Sequence, residues 1–176
     1  MLRHSIGEIA FVILSLAIPV RTQNHLVEAN SRKAAPNFTL MDSKEVPVTL
    51  SKFKGSVVLL DFWATWCEGC KVEIPWYMEF QKKYKDNGLS VVGVSVDDDG
   101  WKSVKPFLQA KQVNYTVVLG DWDLAGRFGI TSLPVTLLID RNGRVADSHV
   151  GMVDKDAFDR EIQALLKESA TKEPPK

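Results

Sequence analysis

The segment 57–70 has the sequence VVLLDFWATWCEGC. Its first half, 57–63, is a nearly continuous run of apolar, strand-forming residues, which is typical of a strand buried on both faces. Its second half carries Cys67 and Cys70 just before a segment of helical character at 71–85. We therefore predict a buried strand that gives way to a helix, with both cysteines at the junction.

Strands and helices alternate along the rest of the chain. Further strands are expected at 38–40, 46–50, 89–96, 114–119, 135–139 and 144–150, and helices at 101–111, 123–128 and 154–167. The sequence Arg141-Asn142-Gly143 predicts a hairpin turn between the last two strands. This alternation predicts an α/β fold with a central mixed β-sheet flanked by helices.

Length, charge and cysteine content exclude several classes of protein. The chain has 176 residues, about the size of one domain. Its 22 basic and 22 acidic residues give a net charge of zero, which argues against binding nucleic acid. Two cysteines and three histidines are too few for a disulfide-dense scaffold and leave a structural zinc site without a second ligand pair.

The amino terminus has the pattern of an export signal. Arg3 precedes the uncharged apolar run 9–20, IAFVILSLAIPV. A signal-peptide core needs about 7–15 apolar residues, whereas a membrane-spanning helix needs about 20. Glu8 and the lack of a clear cleavage site leave an uncleaved signal anchor as the alternative. The expected division is a signal peptide or anchor at 1–24, a linker at 25–34, the folded domain at 35–168 and a disordered tail at 169–176.

The chemistry of the chain is expected at Cys67 and Cys70. Their spacing within one helical turn brings the two sulfurs close enough to bond. A helix N-terminus stabilises an anion through its free N–H groups, which lowers the pKa of the first thiol. The carboxyl end of a strand in an α/β sheet is also where active sites form. A redox-active pair is therefore predicted, and a structural or metal-binding pair is the alternative.

The segment 61–70, DFWATWCEGC, resembles the active-site signature of the thioredoxin superfamily. The opening APNF at 35–38, the segment 50–55 and the signal-like start resemble its exported branch, the TlpA/ResA-like thiol-disulfide oxidoreductases. The similarity spans about residues 34–168. It implies a thioredoxin-like fold with an added N-terminal β-hairpin.

The resemblance also assigns roles to individual residues. Cys67 matches the exposed nucleophile and Cys70 the buried resolving cysteine. Pro134 matches the cis-proline that faces the dithiol, and the backbone at Leu133 would pair with bound substrate like an added strand. Gly69 departs from the family pattern, which usually has proline before the second cysteine. The expected substrate-contacting residues are Trp66, Glu68, Gly69 and Leu133.

Two carboxylates are candidates for moving a proton to or from Cys70. Asp61 lies in the middle of the apolar strand, where burial should raise its pKa. It matches the buried aspartate of thioredoxin, and a non-catalytic core residue is the alternative. Glu73 follows Cys70 by three residues and so shares its helix face. It matches a glutamate of the ResA-like branch, and a solvated helix residue is the alternative.

Asp97, Asp98 and Asp99 form an acidic triplet after the second long strand. Such a triplet could bind a cation, but capping of the helix predicted at 101–111 is the favoured interpretation.

The residues and the resemblance together predict a thiol-disulfide oxidoreductase in the bacterial cell envelope, in the periplasm or on the outer face of the cytoplasmic membrane. It would reduce disulfides of exported proteins, in cytochrome c maturation or in envelope redox homeostasis, and the reverse direction, oxidation of dithiols, is the alternative. It would need electrons from a membrane thiol reductase, no cofactor beyond the Cys67–Cys70 disulfide and no metal. A membrane anchor at the N-terminus is the alternative to a cleaved signal peptide.

Two other functions remain as alternatives. A peroxiredoxin signature, P-x-x-x-T-x-x-C, would place proline at 60 and threonine at 64, where this chain has Leu60 and Ala64. A Sco-like copper chaperone uses C-x-x-x-C and a distant histidine. The cysteine spacing here is one residue short, and only His149 could serve as that ligand.

Overall fold

The run at 57–63 forms the central strand, β3 (Val57–Trp63), in a computed structural model that describes residues 25–170. All seven residues of β3 are buried. The strand pairs in parallel with β4 (Leu89–Ser95) and antiparallel with β6 (Val135–Ile139). Because β3 has a neighbour on each side and side chains packed on each face, its apolar pattern is continuous instead of alternating.

The main sheet has five strands. β5 (Thr116–Leu119) pairs in parallel with β4, and β7 (Val145–Val150) pairs antiparallel with β6. The strand order is therefore β5-β4-β3-β6-β7. The predicted mixed sheet is confirmed.

The helices bury alternate side chains of β3. α1 (Glu68–Tyr84) and α4 (Lys155–Lys167) pack in one apolar cluster with Leu59 of β3. α2 (Trp101–Lys111) and α3 (Trp122–Arg127) contribute to a second cluster that contains Leu60. Since adjacent residues of a strand point to opposite faces, the two clusters lie on opposite sides of the sheet. The flanking helices are thus confirmed as well.

The added N-terminal hairpin is present. β1 (Thr39–Met41) and β2 (Pro47–Thr49) pair antiparallel, and a single-turn helix at Leu50–Phe53 follows them. Asp42, just after β1, forms an isolated bridge with Val118 of β5. The hairpin therefore lies beside one edge of the main sheet.

The segment 25–34 is joined to the domain by specific bonds, which a linker would not need. The Val27 N–H donates to the carbonyl of Ala146 at 2.8 Å. The Arg32 guanidinium donates to Asp140 at 3.2 Å and to Glu168 at 2.6 Å, and only 3 % of the Arg32 side chain is exposed. The polar composition of this segment thus reflects long-range pairing that a local pattern does not reveal.

The predictions for 1–24 and for 171–176 lie outside the described residues. Within 25–170, none of the helices combines the length and the apolar character needed to cross a membrane.

We expect Arg32→Ala to lower the free energy of unfolding by about 2–3 kcal/mol. Breaking a buried ion pair costs more than this in general, but Arg144 still pairs with Asp140, and Glu168 is partly exposed. Urea unfolding measures the change, with Arg160→Ala on the exposed face of α4 as the control. Equal stability of the two variants would contradict the prediction.

Candidate active site

The two cysteines lie at the first turn of α1 and form a disulfide, with their Cα atoms 5.3 Å apart. Cys67 is the N-cap residue, and its Sγ accepts a hydrogen bond from the Cys70 N–H at 3.2 Å. The helix N-terminus therefore stabilises negative charge on Cys67 once the disulfide is reduced. Cys67 is 7 % exposed and Cys70 only 1 %, so Cys67 is the more accessible of the two to an incoming sulfur.

A buried aspartate fixes the connection between β3 and α1. The Asp97 carboxylate accepts bonds from the Thr65 N–H at 2.9 Å and the Thr65 hydroxyl at 2.5 Å. It also accepts a bond from the Ser95 hydroxyl at 2.8 Å. Asp97 thus holds the loop that precedes Cys67 from the end of the neighbouring strand.

The capping role predicted for the acidic triplet is wrong. The N-cap residue of α2 is Gly100, and no side chain caps that end. Asp97 faces Thr65 because β3 and β4 are parallel, so their carboxyl ends lie side by side. Its position at that edge of the sheet is the sequence signal that could have linked it to the site.

Gly69 lies against the residues predicted to face the dithiol. The Leu133–Pro134 peptide bond is cis. A Cβ atom on Gly69 would lie 3.3 Å from Pro134 Cδ and 3.4 Å from Met152 Cγ. Contacts this short leave little room for a side chain at position 69, which gives a physical reason for glycine in place of the usual proline.

The predicted substrate-contacting residues differ in exposure. Trp66 is 58 % exposed, and Glu68 is exposed and pairs with Lys71 at 2.7 Å. Leu133 is partly exposed, next to the buried Pro134. Met152 is also 58 % exposed and was not predicted for this surface. It reaches Gly69 through a turn at 151–153 that no local sequence pattern connects to the cysteines.

Both candidate carboxylates are buried completely. Neither oxygen of Asp61 has a hydrogen-bond partner among the described residues, and burial raises its pKa well above the ordinary value, with a further contribution from the charge of Glu73. Burial also raises the pKa of Glu73, although its Oε1 accepts a bond from the Val153 N–H at 2.7 Å. The interpretation of Glu73 as a solvated helix residue is therefore wrong.

A disulfide at the start of a helix, one cysteine more exposed than the other, and two buried carboxyl groups on β3 and α1 supply what thiol-disulfide exchange requires. Together with the mixed sheet and its flanking helices, they define the class of thioredoxin-like thiol-disulfide oxidoreductases.

Comparison with known proteins leads to the same class. The profile of the AhpC/TSA family matches residues 32–148. ResA, a thiol-disulfide oxidoreductase of Bacillus anthracis, is 31% identical over 134 residues, which is 76% of this chain and 77% of that protein. ResA of Bacillus subtilis is 38% identical over 112 residues, 63% of this chain and 62% of that protein.

Solved structures are similar over most of the domain. A putative thiol:disulfide interchange protein DsbE from Chlorobium tepidum has a TM-score of 0.73 and 38% identity, covering 77% of this chain and 96% of its own. A putative thioredoxin from Neisseria meningitidis has a TM-score of 0.73 and 27% identity, covering 80% of this chain and 95% of its own. The chain belongs to the AhpC/TSA family, and it is a thiol-disulfide oxidoreductase of the ResA/DsbE type.

Asp97→Ala is expected to lower the free energy of unfolding by about 2 kcal/mol, because it leaves the Thr65 and Ser95 donors without their acceptor. We also expect faster alkylation of Cys70 in the reduced variant, since the loop before Cys67 loosens. The neighbouring Asp98 is exposed, so Asp98→Ala serves as the matched control. If the two variants unfold alike, Asp97 does not hold the loop.

Asp61→Asn should stabilise the protein by an amount that grows with pH. The folded protein keeps the Asp61 proton at pH values where the unfolded chain has lost it, so stability falls as pH rises from the ordinary pKa of 3.8 towards the raised one. Asparagine removes that penalty. Urea unfolding across this range measures the difference, which should vanish below the ordinary pKa.

Asp98→Asn, on the surface, is the control for replacing an aspartate by asparagine. An Asp61→Asn difference that stayed constant with pH would mean that Asp61 is ionised in the folded protein.

Proposed function

We propose that the protein reduces disulfides of exported proteins, in the periplasm or on the outer face of the cytoplasmic membrane. The observation that carries the proposal is a disulfide at the start of α1 in which Cys67 is the more exposed cysteine. The signal-like segment 1–24 favours export. So does similarity to a pneumococcal structure described as an exposed lipoprotein thioredoxin, with a TM-score of 0.65 and 28% identity.

The first step is attack by the Cys67 thiolate on a substrate disulfide. One substrate sulfur becomes bonded to Cys67 Sγ, and the other leaves as a thiolate that takes a proton from solvent. The N–H groups at the start of α1 stabilise the thiolate before attack. The nucleophile is therefore available near neutral pH.

In the second step, Cys70 resolves the mixed disulfide. The Cys70 thiol gives its proton to whichever of the two buried groups, Asp61 or Glu73, is ionised, and its sulfur attacks Cys67 Sγ. The second substrate thiolate leaves, so two electrons have passed from the cysteine pair to the substrate. Since the two carboxyl groups influence each other, they titrate as a coupled pair.

The substrate lies across the surface that surrounds Cys67. Its backbone pairs with the chain at Leu133, beside Pro134, and its side chains contact Trp66, Glu68 and Gly69. A membrane thiol reductase then returns two electrons to the Cys67–Cys70 disulfide, and no further cofactor takes part. Resemblance to the ResA branch makes proteins of cytochrome c maturation candidate substrates.

The reduction potential tests the direction of electron flow. We expect a value near that of thioredoxin, about −270 mV, in equilibrium with a glutathione or dithiothreitol buffer. A value near that of DsbA, about −120 mV, would instead indicate an oxidant. If the Cys67–Cys70 disulfide could not be reduced and reoxidised reversibly, the proposed thiol-disulfide exchange would be wrong.

Cys70→Ser is expected to accumulate a covalent mixed disulfide with a disulfide-containing substrate, because nothing resolves the Cys67 adduct. Cys67→Ser should form none, since Cys70 is buried. Non-reducing electrophoresis with insulin as substrate measures both. Peroxide consumption by the reduced wild-type protein, without insulin reduction, would favour the peroxiredoxin alternative instead.

A further inference from the structure

The peptide group between Met152 and Val153 makes a hydrogen bond at each of its two ends. Its N–H donates to Oε1 of Glu73 at 2.7 Å, and that bond is buried. Its carbonyl oxygen lies 3.1 Å from Nε2 of His149. Because a carbonyl only accepts, Nε2 carries the proton in this bond. His149 and Glu73 are therefore joined through a single peptide group.

A peptide group can transmit the charge of one partner to the other. The Leu133–Pro134 bond is the one cis peptide among residues 25–170, so the 152–153 peptide is trans, and its carbonyl and N–H point in opposite directions. A hydrogen bond to the carbonyl polarises the group and makes the N–H a stronger donor. A protonated imidazole donates a stronger bond than a neutral one. The bond from the Val153 N–H to Glu73 therefore depends on the charge of His149.

Neighbouring elements hold both ends of this connection in place. His149 lies on β7, and its ring meets the ring of Phe158 on α4 edge to face, with the centroids 6.4 Å apart. The Gly151 N–H donates to the carbonyl of Pro134 at 2.9 Å. The turn at 151–153 is thus bonded to the segment that faces the dithiol as well as to α1.

Glu73 is surrounded by other titratable groups. Burial raises the pKa of Glu73, whereas hydrogen bonds and the charge of His149 lower it. Asp61 of β3, Tyr77 of α1 and Tyr115 are also buried near it, and the charge of Glu73 contributes to the raised pKa of each. Of these four neighbours, His149 is the one that can become a cation. It can therefore favour the ionised form of Glu73.

Two more carboxyl groups face His149: Asp147 on the same strand and Glu161 on α4. Burial raises the pKa of both, and the charges of His149 and His25 lower it. His25 bonds Glu161 through its main-chain N–H, at 3.1 Å. The His25 side chain can therefore be replaced without loss of that bond, which makes His25 a matched control for His149.

We propose that His149 is a positioning residue for proton transfer, which acts through the 152–153 peptide group to make Glu73 the ionised member of the buried pair. This role rests on the proposed function. With His149 protonated, the Cys70 S–H bond breaks and its proton forms an O–H bond on Glu73, while Asp61 keeps its own proton. The electron pair left on the Cys70 sulfur forms the new disulfide as the substrate thiolate leaves.

The coupling is tested first without substrate, by NMR on the oxidised full-length protein across about pH 4–8, where carboxyl and imidazole groups titrate. The resonance of the Glu73 carboxyl carbon is assigned by its loss in Glu73→Gln. We expect it to titrate at higher pH in His149→Gln than in the wild type, because glutamine offers an amide donor but no charge. His25→Gln should titrate as the wild type does. The same Glu73 titration in His149→Gln and the wild type would overturn the proposal.

The role in catalysis is tested by the pH profile of the resolving step, followed by stopped-flow release of the second substrate thiol. His149→Gln should slow this step about fivefold at about pH 5.5, where an imidazole is ordinarily charged, a factor at the lower end of coupling between sites. The difference should disappear at about pH 8, and His25→Gln should match the wild type throughout. A slowing of equal size at every pH would indicate a structural effect alone and overturn this role.

The two measurements separate this inference from the proposed function. The NMR titration requires neither a substrate nor a direction of electron flow. A failed insulin reduction assay, with the Glu73 titration shifted in His149→Gln, would therefore reject the proposed function and leave the coupling of His149 to Glu73 standing.

Discussion

The site is built around two carboxyl groups that the fold takes out of water. Asp61 lies on a strand with no exposed residue, and Glu73 is buried on α1. The two groups cannot both ionise cheaply in this interior. Glu73 is also bonded to the Val153 N–H, and the Gly151 N–H donates to the Pro134 carbonyl at 2.9 Å. Through Val153, Glu73 is thus connected to the turn at 151–153, which itself contacts Pro134 beside the cysteines.

Rigidity at the strand-to-helix junction complements this electrostatic arrangement. Cys67 must occupy the N-cap position for the helix to stabilise its thiolate, and that position depends on the loop at 64–66. Asp97 supplies the acceptors for that loop from β4, so its geometry is set before any substrate arrives. Preorganised donors and dipoles of this kind cost no rearrangement at the moment of reaction.

Much of this arrangement could be predicted because it is encoded locally. The apolar run of β3, the cysteine spacing and the turn at 141–143 each produce a pattern within about ten residues. Contacts between distant parts of the chain leave no such local pattern in the sequence. Arg32 meets Glu168 across 136 positions, and the approach of Met152 to Gly69 depends on how β7 ends. The capping prediction for Asp97 is wrong because its partner Thr65 lies in the loop after β3, which is distant in sequence, and not in the helix that follows Asp97.

Residues 27–42 lie along both edges of the main sheet, where another protein chain could otherwise pair. Residues 27–35 bond to the start of β7 and to the turn before it, and Asp42 forms one bridge to β5, so this stretch contacts both outer strands of the sheet. Unpaired outer strands are templates for pairing with another chain. During folding these edge contacts therefore form only after residues 27–42 have docked on strands that come much later in the sequence.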